Sequence, residues 1–309
     1  MVLTGGSLKS YFFIHVQVMT HQRAEFRFFS QLRVRWVEVD MQKIVFNGHY
    51  LMYLDTAMAD YWRALCLPYE KSMQALQGEL FVVKSSLEYH ASAHYDDVLD
   101  IGLKCTKVGN SSVVILGGIF RDHEPLVSAE LIYVFADPVS KISQTVPRSL
   151  RQVLEDFEAH RPVTQMVMGK WDELNSEALP LRMEVFVHEQ GVPLEMEQDE
   201  DDGESQHIVL RNALGMVVAT ARLLPTVQGE SRLGRMAVER QLRGQDLGSN
   251  MLSALVKVAQ NRGDQRIRIH AQESALAFYA KHGFKPVGER FLEAGMSHIE
   301  MCLDLGLLG

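Results

Sequence analysis

The stretch EVDMQKIVFNGHYLMYLD, residues 38–55, decides the fold of the first half of the chain. Asp40 ends an alternating apolar and polar segment, residues 31–40, which predicts a half-buried strand. A helix is predicted to follow from Gly48 to Leu65. The first N–H groups of a helix have no intrahelical acceptor and lie at the positive end of its dipole, so they would stabilise negative charge developing on an acyl carbonyl. Asp40 then stands where such chemistry needs a general base or a nucleophile.

The predicted helix carries so many apolar side chains that we expect it to be buried on nearly all sides. Four later segments predict strands, at residues 85–91, 98–109, 111–122 and 126–137. One helix wrapped by a curved antiparallel sheet satisfies both patterns, because the sheet needs one apolar face covered. The predicted fold class is therefore α+β, with a hot-dog arrangement in the first half that a short amphipathic helix closes before Pro162.

The residues around Asp40 resemble the 4-hydroxybenzoyl-CoA thioesterase family of hot-dog enzymes, which includes YbgC-like and FadM-like acyl-CoA thioesterases. The family pattern is Asp-x-x-Gly, an aliphatic residue, Val and an aromatic residue, then Asn or His and a tyrosine. It is matched by Asp40, Ile44, Val45, Phe46, Asn47 and Tyr50. The resemblance, over roughly residues 24–150, implies thioester hydrolysis driven by Asp40, a carbonyl polarised by the amide at Asn47, and a homodimer or homotetramer.

Three residues near Asp40 have alternative interpretations. Lys43 stands where the family often has glycine, and its ammonium would meet CoA phosphates or point into solvent. Strand alternation places Glu38 on the same face as Asp40, where two close carboxylates would raise one pKa, but a solvated edge glutamate is the preferred interpretation. His49 is expected to be a packing or dimer-contact residue. Without the family resemblance, Asp40 itself would be read as a turn or helix-capping residue.

The second half, from Thr164 onward, mixes helices and strands. Between a short strand and a long helix lies RQLRGQDLGSNML, residues 240–252, which is typical of a loop that wraps a pyrophosphate on backbone amides and continues into a helix. The elements predicted are a helix over 176–190, a hairpin around 212–215, strands at 234–238, 266–271 and 298–305, a helix that Gly263 closes, and a helix over 274–284. This is an α/β layer that is independent of the first half.

Several segments in order, over about residues 165–305, resemble the GNAT acyltransferase superfamily and its ElaA-like and YjcF-like branch. They are VFVHEQGVPLEMEQDEDD, ATARLLP, GRMAV, RGQDLGSNML, HAQESALAFYAKHGFKPVG and FLEAGMSHIEM. The resemblance implies transfer from acetyl-CoA or acyl-CoA to an amine, with Tyr279 protonating the leaving thiolate; the alternative is a core aromatic. It also implies a cofactor-binding strand and loop, Met236, Ala237, Val238, Arg243, Gly244, Gln245, Asp246, Leu247, Gly248 and Ser249. Acyl-homoserine lactone synthases, which share this fold, are a minor alternative.

Asp246 occupies the middle glycine position of the Arg-x-x-Gly-x-Gly pattern. If that position needs a left-handed backbone, aspartate is among the few residues that tolerate it. Its carboxylate would repel a diphosphate, or would itself hydrogen-bond the helix amides that hold phosphate. We therefore expect the GNAT half to bind acetyl-CoA weakly, in a displaced pose or not at all.

The sequence leaves the general base of the second half open. An ammonium substrate has to lose a proton before it attacks, often through water. The run from Glu195 to Asp202 holds six carboxylates in eight residues and is interpreted as a solvated acidic loop. The candidate bases are Glu189, Glu195, Glu197, His207, His270 and Glu273.

Composition sets the limits of these predictions. The 309 residues fit about two domains, which are predicted at 23–162 and 163–309 after an N-terminal extension over 1–22. The first eighteen residues are either overhang before a true start at Met19 or an extra edge strand. The net charge of −8 without a basic block argues against nucleic acid, and the apolar patch over residues 11–18 is too short for a membrane span. Three scattered cysteines match no metal or redox spacing and suggest the cytoplasm.

The sequence thus predicts an acyl-CoA thioesterase joined to a GNAT-type N-acetyltransferase. Coenzyme A thioesters are substrates in this scheme, a small amine is the second substrate, and no metal or permanently bound cofactor is expected. The alternative from another class is a thioesterase whose second half is a non-catalytic acyl-CoA-binding or oligomerisation module.

Overall fold

The computed structural model describes residues 21–306. The predicted N-terminal extension lies outside the described residues, except for its last two. Within residues 21–306, no helix is long and apolar enough to cross a membrane. In the same range, no group of three or more His, Cys, Asp or Glu side chains could hold a metal ion.

The first half is a five-stranded antiparallel sheet in the order β1-β3-β4-β5-β2, packed on one long helix. The predicted long helix and the four predicted strands are confirmed, but a second helix was not predicted. The strands are β1 Phe28–Arg33, β2 Glu79–Tyr89, β3 Val98–Val108, β4 Ser112–Arg121 and β5 Glu124–Ala136; the helices are α1 Asn47–Ala64, α2 Tyr69–Leu76 and α3 Arg148–Glu158.

Helix α1 is buried along one side only, so the prediction of burial on nearly all sides is wrong. Tyr50, Leu54 and Tyr61 are buried in the core. Leu51 and Met52, on the other side, are 41% and 56% exposed. The sheet of a single chain covers one face of the helix, and an apolar surface therefore remains open near its start.

The segment before Asp40 is not the strand that alternation predicted. Strand β1 ends at Arg33, and Trp36–Glu38 forms a 3-10 turn. Glu38 is buried rather than solvated: it accepts hydrogen bonds from the Arg35 backbone N–H at 2.7 Å and from the Tyr53 hydroxyl at 2.8 Å. Burial acts to raise the pKa of Glu38, but the hydrogen bonds from Arg35 and Tyr53 together lower it below its usual value. Glu38 therefore anchors the turn that carries Asp40.

The second half is built on a seven-stranded sheet in the order β11-β12-β10-β9-β8-β7-β6. The predicted hairpin and the helix closed by Gly263 are confirmed, whereas strands β6 and β11 were not predicted and the first helix begins earlier than expected. The strands are β6 Thr164–Gly169, β7 Gln206–Asn212, β8 Val217–Leu223, β9 Glu230–Val238, β10 Arg266–Gln272, β11 Lys285–Glu293 and β12 Met296–Asp304. The helices are α4 Trp171–Arg182, continued by a π-helical segment Met183–Glu189, α5 Leu194–Glu197, α6 Asp201–Glu204, α7 Leu247–Arg262 and α8 Leu276–Lys281.

Strands β9 and β10 are parallel but pair only over Glu230–Arg232 and Arg266–Arg268. Past that point β9 carries a bulge against β8, in which Arg235 adopts a left-handed conformation with φ 50°. A bulge re-aims a strand and disrupts local pairing. The two central strands therefore diverge and leave a gap in the sheet.

The acidic run over residues 195–202 is solvated only in part: Glu195, Glu200 and Asp201 are exposed as predicted, whereas Glu197 and Asp202 are buried. Arg182 is fully buried and donates hydrogen bonds to Asp202 at 2.8 and 3.0 Å and to Glu197. Arg222 donates a further bond to Asp202 at 2.6 Å. Buried charges persist when they are paired and hydrogen-bonded, so Glu197 and Asp202 form an ion-pair network with these arginines inside the second half.

The two halves have separate sheets but share a contact surface. Cys66, at the end of α1, packs into the hydrophobic core of the second half. The Asn212 side-chain amide donates to the Cys66 carbonyl oxygen at 3.0 Å. Lys71 Nζ lies 2.6 Å from a carboxylate oxygen of the buried Glu239. Glu239 directly follows β9, so this contact reaches the start of the predicted cofactor loop.

Candidate active sites

The first cleft lies beside the start of α1 and has a volume of about 580 Å³. Its walls come from the turn after Asp40, from the first turn of α1 and from the segment that follows β2. The lining residues are Asp40, Met41, Gln42, Ile44, Val45, Phe46, Asn47, Tyr50, Tyr89, His90, Ala91 and Ser92. The cleft thus brings together the two predicted catalytic residues of the first half, Asp40 and Asn47.

A tight turn sets the position of Asp40. The Lys43 N–H donates to the Asp40 carbonyl at 3.0 Å, and the Asp40 N–H donates to the Ile44 carbonyl at 2.9 Å. The Gln42 N–H donates to Asp40 Oδ1 at 2.7 Å. Lys43 has φ 63°, a left-handed conformation in which glycine carries no steric penalty. This explains in physical terms why glycine suits the position that Lys43 occupies.

Asn47 is the first residue of α1, one position earlier than predicted. No side chain caps this helix end, so the N–H groups of Asn47 and Gly48 lack intrahelical acceptors and point outward at its start. Tyr50 fixes the opposite wall of the cleft, because its hydroxyl accepts a hydrogen bond from the Ala93 N–H at 2.9 Å. The arrangement places a carboxylate near unpaired donors, which suits chemistry at a carbonyl.

Sequence analysis did not identify the residues that form the far wall of the first cleft. His90 lines it, and His90 Nε2 lies 2.9 Å from Ser128 Oγ. The Tyr89 hydroxyl donates to the Asn47 carbonyl at 3.3 Å across the cleft. Both residues belong to the segment YHASAHYDD, whose family resemblance was the available signal.

The second cavity lies where β9 and β10 diverge and has a volume of about 610 Å³. Side chains alternate along a strand, so Arg232 and His270 come from one face of the sheet while Leu233 and Ile269 come from the other. The cavity therefore passes through the gap between the strands. A donor could enter from one side and an acceptor from the other.

Tyr279 lines this second cavity from α8. Its hydroxyl contacts Met236 Sδ at 3.8 Å. Burial raises the pKa of Tyr279 to about 12, so the phenol keeps its proton at neutral pH. Its neighbour Phe278 instead covers Gly248 at the start of α7, where an added Cβ would lie 3.4 Å from the Phe278 ring. The two rings nevertheless pack edge-on with centroids 5.0 Å apart, and both lie against the core of the second half, so Tyr279 is a core aromatic that also lines the cavity.

The predicted cofactor loop has two left-handed residues, Gly244 with φ 85° and Asp246 with φ 56°. The expectation that Asp246 replaces glycine at a left-handed position is therefore confirmed. The alternative that its carboxylate caps α7 is wrong, because Asp246 occupies the N-cap position without a side-chain capping bond. The amides at the start of α7 thus remain without an intrahelical acceptor.

The other predicted loop and strand residues are divided between core and surface. Ala237 and Leu247 are buried, which leaves only their backbone groups for a ligand. Ser249 Oγ lies 3.0 Å from His282 Nε2. Met236, Arg243 and Tyr279 line the cavity. The remaining predicted residues are neighbours of these in the chain: Val238, Gly244, Gln245 and Gly248.

Arg243 is held by a carboxylate. Its two terminal nitrogens each lie 2.6 Å from an oxygen of Glu189, and its Nε donates to the Val238 carbonyl at 3.2 Å. The hydrogen bonds from Arg243 hold the pKa of Glu189 below its usual value. A diphosphate that used Arg243 would have to displace Glu189, so Glu189 is better described as its competitor than as a base.

Three more of the candidate bases are engaged elsewhere. Glu197 is buried in the pair with Arg182. His207 is buried, with its Nε2 2.9 Å from a backbone carbonyl, and Glu273 forms an exposed ion pair with Arg290 at 3.2 Å. Neither His207 nor Glu273 lines the cavity. Of the six candidates, Glu195, Glu197 and His270 line it, and only Glu195 and His270 do so outside the buried ion-pair network.

Two family models match the chain. A model for an acetyltransferase (GNAT) domain matches residues 170–305, and a model for the thioesterase superfamily matches residues 42–128. The uncharacterized N-acetyltransferase YjcF of Bacillus subtilis (strain 168) is 37% identical over 139 residues, which are 45% of this chain and 98% of that protein.

Two solved structures resemble the separate halves. An acyl-CoA N-acyltransferase from Pseudomonas aeruginosa is 30% identical, with a TM-score of 0.42, and the match covers 45% of this chain and 98% of that one. Slr0204, a 1,4-dihydroxy-2-naphthoyl-CoA thioesterase from Synechocystis, is 17% identical, with a TM-score of 0.40, and the match covers 42% of this chain and 97% of that one.

Proposed function

The second half of the chain belongs to the GNAT acetyltransferases and the first half carries a thioesterase-superfamily domain, and from this premise we propose that the protein acts twice on CoA thioesters. The first domain, 23–162, hydrolyses acyl-CoA, and the second, 163–309, transfers an acetyl or acyl group to an amine. The supporting observation is that Asp40 and Tyr279 each line a cleft of their own, of about 580 and 610 Å³.

Hydrolysis in the first cleft depends on Asp40. With Oδ1 held by the Gln42 N–H, Oδ2 is left to take a proton from water that attacks the thioester carbon, or to attack that carbon itself. The carbonyl oxygen would accept hydrogen bonds from the amides of Asn47 and Gly48 as it gains charge. When water attacks, the C–S bond breaks and the CoA thiolate takes up the proton that Asp40 removed. When Asp40 attacks, the C–S bond breaks to give an acyl-aspartate anhydride and a thiolate that takes a proton from solvent, and water then cleaves the anhydride to the free acid and the Asp40 carboxylate.

Asp40→Asn tests this step, because asparagine keeps the turn bond to the Gln42 N–H but cannot take a proton. We expect acyl-CoA hydrolysis to fall by about 10² to 10⁴-fold, measured as release of free thiol. Asp55→Asn, which changes an exposed carboxylate on α1, is the matched control. A single turnover in ¹⁸O-water separates the two roles, since only a nucleophilic Asp40 acquires the label. Unchanged hydrolysis in Asp40→Asn would contradict the assignment.

Transfer in the second cavity depends on Tyr279. The amine nitrogen attacks the thioester carbon, the C–N bond forms, the C–S bond breaks, and the Tyr279 hydroxyl gives its proton to the leaving thiolate. Tyr279→Phe should lower amine acylation by about 10² to 10⁴-fold and leave hydrolysis unchanged, while Asp40→Asn should do the reverse. A panel of acyl-CoAs assayed with and without amines measures both.

A second candidate is that the GNAT half binds acyl-CoA without catalysis. Two observations favour it: the Asp246 carboxylate stands in the cofactor loop, and Glu189 already occupies the Arg243 guanidinium. Thiol release that depends on Asp40 alone, with no acylated amine from any acceptor, would select this candidate over the first.

We also propose that the protein is at least a homodimer in the cytoplasm. Strand β2 is an edge of its sheet, and it exposes Val82 and Val83 by 50% and 59%. An exposed apolar edge strand is a template for pairing with another chain. The described cysteines are all free, which supports a reducing compartment. Light scattering should give twice the monomer mass or more, and Val83→Lys should reduce it.

A further inference from the structure

We propose that the acceptor side of the second cavity is formed by His270 as general base, Glu293 as the residue that positions it, and Arg232 as the anchor for a carboxylate on the substrate. The acceptor is then an amine that also carries a carboxylate, the chemistry of an amino acid. This proposal rests on the acyl transfer proposed above and assigns its missing base and its substrate class.

The geometry around His270 holds its ring in one orientation. Its Nδ1 lies 2.8 Å from Glu293 Oε2, and the ring of Phe291 packs edge-on with a centroid distance of 4.9 Å. His270 comes from β10 and Glu293 from the end of β11, and both line the cavity. The ring is therefore supported from two sides within the site.

The hydrogen bond to Glu293 decides which nitrogen can act. A carboxylate only accepts hydrogen bonds, so Nδ1 carries the proton and Nε2 of the neutral ring has the free lone pair. Arg232 Nη2 lies 3.2 Å from Nδ1, but both are donors, and that approach is not a hydrogen bond in this tautomer. This is the arrangement in which a neighbouring carboxylate orients a histidine base.

Arg232 differs from the other arginines that line the cavity. Arg243 is paired with Glu189, and Arg235 with Asp199 at 2.9 Å. Across residues 21–306, the Arg232 side chain contacts no carboxylate, and the one polar side-chain atom it approaches is His270 Nδ1. A guanidinium in a cleft without an acidic partner matches the geometry of a substrate carboxylate, which it binds through two parallel hydrogen bonds.

Protons balance over the full cycle. The ammonium of the acceptor gives one proton to His270 Nε2, and the neutral nitrogen attacks the thioester carbon to form the C–N bond. Tyr279 protonates the sulfur as the C–S bond breaks and recovers a proton from the nitrogen that has just become attached. His270 returns its proton to water, and the products are the amide, CoA and one proton.

The first experiment separates removal of the ammonium proton by His270 from every other effect of changing that residue. Hydroxylamine is uncharged at neutral pH, so its acetylation needs no base to remove an ammonium proton, whereas alkylamines and amino acids do. In the full chain, His270→Gln should lower amino-acid acetylation by about 10² to 10⁴-fold and hydroxylamine acetylation by less than threefold. Tyr279→Phe should lower both, because both release the same thiolate.

Glu293 is tested through its conservative replacement. Glu293→Gln keeps an oxygen that accepts from Nδ1, and Glu293→Leu removes it. We expect the leucine variant to lose the larger part of the His270 contribution to kcat for amino acids, and the glutamine variant to recover most of it. Glu273→Gln, an exposed glutamate near the cavity, should change neither reaction.

The second experiment tests the substrate class with matched pairs, each an amino acid and the amine that its decarboxylation yields. Wild type should prefer the amino acid by about ten- to a hundredfold in kcat/KM, and Arg232→Gln should abolish the preference. Equal use of both members, or a preference that survives in Arg232→Gln, overturns the substrate class. Equal losses for hydroxylamine and amino acids in His270→Gln, or no loss, overturn the base. Failure of wild type to acetylate hydroxylamine and every amino acid and amine of the panel would instead refute acyl transfer itself.

Discussion

Two turns of this molecule each hold a left-handed residue, and the two residues carry opposite charges. The turn after Asp40 and the loop before α7 each lead into a helix N-terminus, and each holds a residue other than glycine in the left-handed region, Lys43 at φ 63° and Asp246 at φ 56°. Both turns adopt a left-handed residue that is not glycine. Backbone shape alone therefore does not explain why glycine is common at these two positions. The two side chains would act oppositely on a CoA phosphate bound nearby, since an ammonium attracts a phosphate and a carboxylate repels it.

The conformational cost of a left-handed residue can be compared with the energy of charge repulsion. A left-handed residue other than glycine costs about 1–2 kcal/mol, and aspartate less than most. A carboxylate about 5 Å from one phosphate charge, at an effective dielectric of about 20, is repelled by roughly 3 kcal/mol before salt screening. The electrostatic effect of Asp246 on a phosphate therefore exceeds its conformational cost. The comparison of the two turns is best tested by changing the charge of Asp246 and of Lys43.

The largest effect is expected at Asp246. Asp246→Gly and Asp246→Asn both remove the charge, and we expect each to tighten CoA binding in the second cavity by up to about a hundredfold. Asparagine also tolerates the left-handed region, so equal gains from both variants would assign the effect to charge alone. Calorimetric titration of the full chain with CoA measures it. No tightening in either variant would refute the repulsion.

The reverse change at Lys43 should have a smaller effect. Lys43→Glu puts a carboxylate in the first turn, and we expect the KM for acyl-CoA hydrolysis to rise about tenfold at low salt, with the difference shrinking as salt screens it. Lys43→Gln is the uncharged control and should fall between the two. An unchanged KM would mean that the Lys43 ammonium points into solvent and does not meet the phosphates.

Freeing Arg243 from its ion pair with Glu189 should change CoA binding by a smaller factor still. Glu189→Gln removes the carboxylate that holds the guanidinium at 2.6 Å, and both side chains are partly exposed. Exposed pairs contribute about 0.2–1 kcal/mol, so CoA binding should tighten by about two- to fivefold. Glu184→Gln, in the same π-helical segment, is the control. Weaker CoA binding in Glu189→Gln would show that Glu189 positions Arg243 for the ligand rather than competing with it.

The smallest effect concerns backbone strain. Lys43→Gly relieves the left-handed conformation and should raise the free energy of unfolding by about 1 kcal/mol, measured by urea denaturation. Lys84→Gly, in strand β2, should lower stability instead, because the backbone there is extended and glycine only adds freedom to the unfolded chain. A loss of stability in Lys43→Gly would mean that the lysine side chain stabilises the turn.

Local patterns predicted more of the molecule than did isolated charged residues. Asp40 and Asn47 are seven residues apart, in a tight turn and the start of the helix that follows it, so their proximity follows from the sequence. Glu38 was misplaced because its partner Tyr53 lies on α1, fifteen residues away. Local bonds from Arg35 to Glu38 close the 3-10 turn, and the bond from Tyr53 ties it to α1; together they override the alternation that predicted a strand.

The base of the second half could not be identified from sequence for the same reason. His270 and Glu293 are separated by 23 residues and meet only because β10, β12 and β11 are neighbours in the sheet. The buried carboxylates of the acidic run were misjudged because Arg182 and Arg222, which neutralise them, come from α4 and β8. In each case the deciding partner is distant in sequence.

The contact at Cys66 has a consequence for the order of events on the ribosome. Residues up to 162 leave the exit tunnel first, yet Cys66 is covered by residues of the second half, and the Asn212 amide holds its carbonyl. That cluster runs to Leu305, so the last surface of the first half is covered only after the second half has been made and has folded. Folding of the whole chain therefore ends with the docking of two halves, each built on its own sheet.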